Sequence, residues 1–353
     1  MIDKKGELLY NFIYIDLTEI NKHMENIRTR YRTTMVRIGA ALLLWLAMFY
    51  GFFLLAELIA MPFEYYASAE IAEVVHSISS SVAYMLAFSL AALLFHVINK
   101  QKYDQPVRFT PRLPKNSFVM IFAGIGCCFA FSVINGFIVS LLPISSTEIF
   151  AYPSEFSPDR SIVLQFIAIA LVPAFCEELL FRGVILSNLM PYGKASAIII
   201  SSVLFGLMHG SMNQFVYTTV AGIIMGAVYV YTRSIWCSIL MHMINNTLSV
   251  LQYAIYDRFA DTHDWIIWII IDCICVTAAI ILVFHFSKNA QRKGGTYPCA
   301  EDVYSDSETI SGTRLTFSSE LSVREIAKGF LTPTVLIFVI VSWILSLMTL
   351  GVT

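Results

Sequence analysis

Charge is what this sequence has least of. Only 14% of its 353 residues are Asp, Glu, Lys or Arg, against about 25% in an ordinary soluble domain. Its 23 basic and 25 acidic residues nearly cancel, to a net charge of −2. The broad basic footprint of a nucleic-acid binder is therefore missing, and no nucleic-acid partner is expected. Cysteines spaced for metal or disulfide chemistry are missing too. Cys127, Cys128, Cys176, Cys237, Cys273 and Cys275 fall inside apolar runs, and no CxxC pair occurs. That excludes a zinc ribbon and reads these thiols as small buried hydrophobes. Near its start the chain has no short apolar stretch of the signal-peptide kind, so a cleavable signal is not expected.

What the sequence has instead is long apolar runs, with 57% of residues hydrophobic. A spanning helix needs about 20 mostly apolar residues. By that measure nine candidates occur, roughly 36–60, 74–98, 117–142, 161–187, 195–210, 213–232, 235–256, 264–286 and 331–351. The expected fold is an all-α polytopic membrane protein, a bundle of about 8–9 transmembrane helices with an intramembrane polar cavity. Loop charges orient it. Arg28, Arg30, Arg32 and Arg37 precede the first span, Lys100, Lys102, Arg108, Arg112 and Lys115 follow the second, and Lys194, Arg233, Lys288, Arg292 and Lys293 continue the alternation. The intervening loops lean acidic, with Glu64, Glu70, Glu73, Glu148, Glu155, Asp159, Asp257 and Asp261. Basic loops favour the cytoplasmic side, which places the N-terminus inside a cell membrane and, with nine spans, the C-terminus outside.

The organisation expected from this pattern has six parts. Residues 1–34 form a cytoplasmic amphipathic segment in contact with membrane lipid. Residues 35–145 hold accessory spans, 160–256 the polar-bearing helical core, and 264–286 another accessory span. Residues 287–330, rich in Ser, Thr, Gly and acids, read as a flexible cytoplasmic linker, and 331–351 as the last span.

An ionisable group within a span costs about 2.5–3.5 kcal/mol on insertion scales and needs a partner or a task. Such groups concentrate between residues 177 and 246. Glu178 and Arg182 are i,i+4 neighbours on a helix and can pair directly. Glu177 points about 100° away from Glu178, which leaves it for chemistry while its neighbour serves structure. His209 ends the fifth candidate span, and His242 and Asn246 share one face of the seventh. Alone, each has an ordinary reading: a buried ion network, a satisfied core histidine, an interhelical hydrogen-bond pair. Together they can activate water and stabilise an oxyanion, with no serine or cysteine nucleophile. Glu57, His76, His96 and His285 lie near span ends where water reaches them; Asp272 is solitary. Gly222 and Gly226 form a GxxxG packing signal.

Glu177-Glu178-x-x-x-Arg182, Phe205-x-x-x-His209 and His242-x-x-x-Asn246 resemble the three motifs of the CPBP family, the CAAX-processing and bacteriocin-processing intramembrane proteases also called Abi. Gly222-x-x-x-Gly226-x-x-Tyr229 and Thr232-x-Ser234-Ile235-Trp236 are similar to the family as well, so the likeness covers about residues 165–250. It implies a bundle whose cavity opens to the cytoplasm and makes 160–256 the catalytic core. It implies an intramembrane endopeptidase hydrolysing a membrane-associated peptide or lipidated protein. Carried over, Glu177 and His209 activate the water, His242 and Asn246 stabilise the oxyanion, and Glu178 and Arg182 hold the site. Zinc is a possible cofactor, with Glu177, His209 and His242 as three ligands and one open position. H-E-x-x-H is absent, and direct water activation by Glu177 and His209 is the preferred mechanism. The competing functions are a non-enzymatic immunity or scaffold protein and a proton-coupled transporter.

One geometric demand follows. His209 lies about 15 residues past Lys194, roughly 22 Å along a helix. It meets Glu177 and His242 only if its helix starts below the membrane surface or the chain turns back near 210–213. Side chains more than about 12 Å apart could not share one water.

Overall fold

The computed structural model describes residues 4–98, 117–140, 161–258 and 321–351, with Leu113 and Thr277 as isolated positions. Among these residues the chain is all helix: α1 Lys4–Tyr66, α2 Ala69–Ile98, α3 Ser117–Ser140, α4 Ile162–Tyr192, α5 Lys194–Met208, α6 Met212–Thr232, α7 Ile235–Arg258, α8 Val323–Phe330 and α9 Pro333–Gly351. Five helices are long and apolar enough to cross a bilayer, or six if α8 and α9, bent by 64° at their junction, form one span. Large apolar side chains such as Leu54, Leu58, Ile78, Leu93 and Phe122 stand more than half exposed on the outside of the bundle, a surface that only lipid can cover. This is a polytopic integral membrane protein.

Three of the nine expected spans differ or lie elsewhere. The fifth, 195–210, is α5, a helix of 15 residues whose length of about 22 Å falls short of a 30 Å hydrocarbon core. The seventh is α7, long enough at 24 residues but not among the helices apolar enough to qualify; His242, Asn245, Asn246, Thr247 and Ser249 lower its hydropathy. The eighth, 264–286, lies outside the described residues. At the start, no break separates the amphipathic segment from the first span, because α1 runs unbroken from Lys4 to Tyr66.

The end of the expected linker is corrected. Residues 323–330 are helical, started by a reciprocal capping box in which the Ser322 hydroxyl accepts from Glu325 N–H and the Glu325 carboxylate accepts from Ser322 N–H. The Ser-x-x-Glu signal was legible, but its acidic and polar surroundings masked it. This helix docks on α1, where Tyr31 OH donates to Ile326 O at 3.0 Å and Arg28 pairs with Glu325.

α4 is the central rod. It is not a regular α-helix: Phe166–Leu171 and Leu179–Leu186 adopt the wider π geometry on either side of Val172–Glu178. It ends at Gly193, whose φ of 136° reverses the chain, and α5 runs back beside it. Gly210, with φ 57°, reverses the chain again. The α5–α6 hairpin is then closed by small residues. A Cβ on Gly206 would collide with Thr219 Oγ1 and lie 2.9 Å from Phe215 O, and one on Gly222 would lie 3.1 Å from Ser202 Cβ. The GxxxG positions therefore do bring helices into close approach. A two-residue turn follows α6, with Arg233 in the left-handed region at φ 52° and its N–H on Tyr229 O. α7 returns along α4 and α6.

Candidate active site

Glu177 and Glu178 close the short α-helical stretch at the middle of α4, and both are buried, as are Arg182 and His242. The i,i+4 ion pair forms: Arg182 Nη1 donates to Glu178 Oε1 at 2.7 Å with both side chains fully buried. Arg182 also donates through Nη2 to Gly222 O at 3.1 Å, tying α4 to α6, and its guanidinium lies 4.7 Å from the centre of the Phe205 ring on α5. One side chain thus binds three helices at a point where a lone charge would be costly.

Glu178 does more than pair with Arg182. His242 Nδ1 donates to the same Oε1 at 3.0 Å. This contact fixes the imidazole of α7, so that its Nε2 faces Glu177 Oε2 across 3.8 Å. That distance is too long for a direct hydrogen bond. Glu177 Oε2 is buried and has no hydrogen-bond partner in the protein, whereas Oε1 accepts from Tyr84 OH on α2. The two carboxylates differ in their contacts: Glu178 Oε1 accepts from Arg182 and His242, and Glu177 Oε2 faces an imidazole nitrogen.

His209 caps the hairpin tip. Its Nδ1 donates to Phe205 O at 2.9 Å, which leaves Nε2 as the outward nitrogen. The Phe205 ring sits edge-on to both imidazoles, 4.9 Å from His209 and 6.0 Å from His242. The two rings are therefore closer than the limit of about 12 Å that a shared water imposes. The approach has a simple cause. Glu177 and His209 each lie about 16 residues from the Gly193 turn, so an equal rise along two antiparallel helices brings them level. The chain also turns back at Gly210, as the second of the two expected routes requires.

Asn246 spends one of its two amide N–H groups on the backbone of α4. Its Nδ2 donates to Ile169 O at 3.0 Å and its Oδ1 accepts from Asn245 at 3.3 Å. Ile169 belongs to the first π stretch, whose altered ladder leaves carbonyls to be met from outside the helix. Asn246 thus joins α7 to α4. Its neighbour Asn245, buried and bonded to Tyr217 OH at 3.0 Å, ties α7 to α6. Asn245, Tyr217 and Tyr84 escaped the reading by sequence. Tyr84 carried a faint signal as a polar-tipped ring in the middle of an apolar span.

Among the described residues no three of His, Cys, Asp and Glu stand as a group able to hold an ion. The Glu177, His209 and His242 side chains, as arranged, do not fit a zinc centre.

Comparison with known proteins bears on the same stretch. Residues 159–248 match the family described as "Type II CAAX prenyl endopeptidase Rce1-like". Those residues are similar to the Rce1-like family. They include all six motif residues, from Glu177 to Asn246. A Bacillus subtilis (strain 168) protein named "Putative membrane peptidase YdiL" is 32% identical over 96 residues, 26% of this chain. The match spans 38% of that protein's length. No solved structure matches the chain. The Rce1-like segment starts at the entry to α4 and ends within α7, so Tyr84 on α2 lies outside it.

Proposed function

We propose that this chain is an intramembrane endopeptidase that hydrolyses a peptide bond in a membrane-associated peptide or lipidated protein. The observation that carries the reading is the pair Glu177 Oε2 and His242 Nε2, 3.8 Å apart, with the imidazole fixed from behind by Glu178. A water between them can give its proton to Glu177 Oε2 while its oxygen attacks the carbonyl carbon. The scissile carbonyl becomes an oxyanion, which needs donors aimed at it. His242 in its imidazolium form offers Nε2–H there, with Glu178 balancing the charge. His209, set against the same Phe205 ring as His242, shares in water activation. The amide of Asn246 keeps a second N–H beyond the one spent on Ile169 O. When the carbon–nitrogen bond breaks, the proton on Glu177 passes to the departing amine. Each role needs only residues of this chain.

The reading places residues 160–256 as the catalytic core, with 35–145, 264–286 and 331–351 as accessory spans in a bundle of eight or nine. In this arrangement the N-terminus is cytoplasmic. Tyr192, at the α4–α5 turn, packs on Tyr31 and Thr34 near the basic end of α1, so that turn and the α6–α7 turn face the cytoplasm. The α5–α6 hairpin then enters from that side and bears His209 at its tip.

The test is hydrolysis by the purified full chain in lipid, using a farnesylated CAAX peptide, the substrate class in the family's description, beside an unlipidated transmembrane peptide. Wild type is expected to cleave at least the lipidated probe, and Glu177→Gln to abolish cleavage while the protein stays folded. Undiminished cleavage by Glu177→Gln would sink the proposal.

A further inference from the structure

We propose that Tyr84, on an accessory helix, is a positioning residue that fixes which oxygen of Glu177 acts as the base. The inference rests on the peptidase reading and extends it to the spans outside the Rce1-like segment. Tyr84 OH donates to Glu177 Oε1. The other oxygen, Oε2, is buried without a protein partner and faces His242 Nε2. A carboxylate held at one oxygen cannot rotate to exchange them without losing that hydrogen bond. Tyr84 is suited to the task because its own ring is immobilised. It stacks on Phe88 at 4.6 Å with the planes 22° apart and meets Phe49 of α1 edge-on at 5.9 Å. Phe88 is fully buried and packs on Trp45 at 5.2 Å. The aromatic column Trp45–Phe88–Tyr84 therefore runs from α1 through α2 to the catalytic carboxylate. A tyrosine has only two side-chain torsions to hold, so little freedom is lost in keeping it there. The geometry gives α1 and α2 a defined part in the site beyond filling the bilayer.

The test compares full-length wild type, Tyr84→Phe, Tyr84→Leu and Glu177→Gln in lipid, with the farnesylated CAAX peptide as probe. Tyr84→Phe keeps the stacked ring and removes only the donor. Hydrogen bonds to a charged group have a size that corresponds to a fall in kcat of about 10- to 100-fold, with KM unchanged because Tyr84 touches the base and not the substrate. Tyr84→Leu removes the ring as well and is expected to lower kcat further. A second readout needs no turnover. The infrared difference between wild type and Glu177→Gln isolates the Glu177 carboxylate band, and Tyr84→Phe should displace it. A folded Tyr84→Phe with wild-type kcat, or an unmoved band, overturns the proposal. If the wild type cleaves nothing, or Glu177→Gln still cleaves, the peptidase reading fails instead, and the band alone decides whether Tyr84 holds Glu177.

Discussion

Glu178 and His242 meet across α4 and α7 at 3.0 Å, on the same carboxylate oxygen that Arg182 reaches at 2.7 Å. Stability and chemistry are joined at that atom. Arg182→Ala leaves a fully buried carboxylate without its permanent cation, an exchange that costs about 3–5 kcal/mol. Arg182→Lys keeps the charge but loses the fork that also reaches Gly222 O, so it should fall between wild type and Arg182→Ala. Glu178→Gln combined with Arg182→Ala removes the stranded charge and should recover part of the loss. Thermal unfolding in detergent measures the series. An Arg182→Ala protein as stable as wild type would refute the structural role.

The pairing of Glu178 with Arg182 was legible because helix geometry alone sets it: Glu178 faces Arg182 at i,i+4 and Glu177 does not. Membrane character was legible from charge and run length. What could not be read was anything that depends on another helix's register. Nothing local to Tyr84 says that α2 brings it to Glu177. The amide of Asn246 turns to Ile169 because of a π stretch that sequence periodicity does not announce. Depth was the other difficulty. Counting from Lys194 alone put His209 far from Glu177, whereas counting both helices from Gly193 makes them level. The relevant quantity is symmetry about a turn, and periodicity within one helix does not contain it.

The hairpin that carries His209 depends on close backbone approach, and its glycines differ in how much they matter. Gly206→Ala puts a Cβ into Thr219 Oγ1 and against a backbone carbonyl at 2.9 Å, while Gly226→Ala meets nothing nearer than Ile198 Cγ2 at 3.3 Å. Overpacking of the first kind costs about 1–3 kcal/mol and moves backbone. Gly206→Ala should therefore lower peptide hydrolysis strongly by shifting the hairpin tip, and Gly226→Ala should leave it near wild type. Equal effects on kcat from the two substitutions would argue against the hairpin as the element that places His209.

Metal dependence separates the two mechanisms considered for this site. Zinc needs donors gathered at about 2.0–2.2 Å. Here no three donor residues among those described converge. Hydrolysis by protein dialysed against a strong chelator is expected to equal that of untreated protein. Elemental analysis should find no stoichiometric zinc. Loss of activity on chelation, restored by zinc, would require the Glu177, His209 and His242 side chains to rearrange around an ion.

The docking of α8 on α1 gives a last prediction, because its two visible contacts should differ sharply in weight. The Arg28–Glu325 pair involves an arginine side chain more than half exposed, and solvent screens such exposed pairs so that they contribute little. Arg28→Ala should thus barely loosen α8. Gly329, by contrast, is buried against the Tyr31 ring, where a Cβ would lie 2.5 Å from Cε1 and 2.6 Å from the hydroxyl oxygen. Gly329→Ala forces Tyr31 aside and breaks its hydrogen bond to Ile326 O. Limited proteolysis after reconstitution reads the difference, since a helix released from α1 exposes the bend between α8 and α9. Gly329→Ala is expected to be cleaved there much faster than wild type, and Arg28→Ala at nearly the wild-type rate. Adding Tyr31→Ala to Gly329→Ala relieves the collision but not the lost hydrogen bond, so its rate should fall between the two. If Arg28→Ala proved the more damaging change, charge and not the Tyr31–Gly329 fit would be what seats this helix.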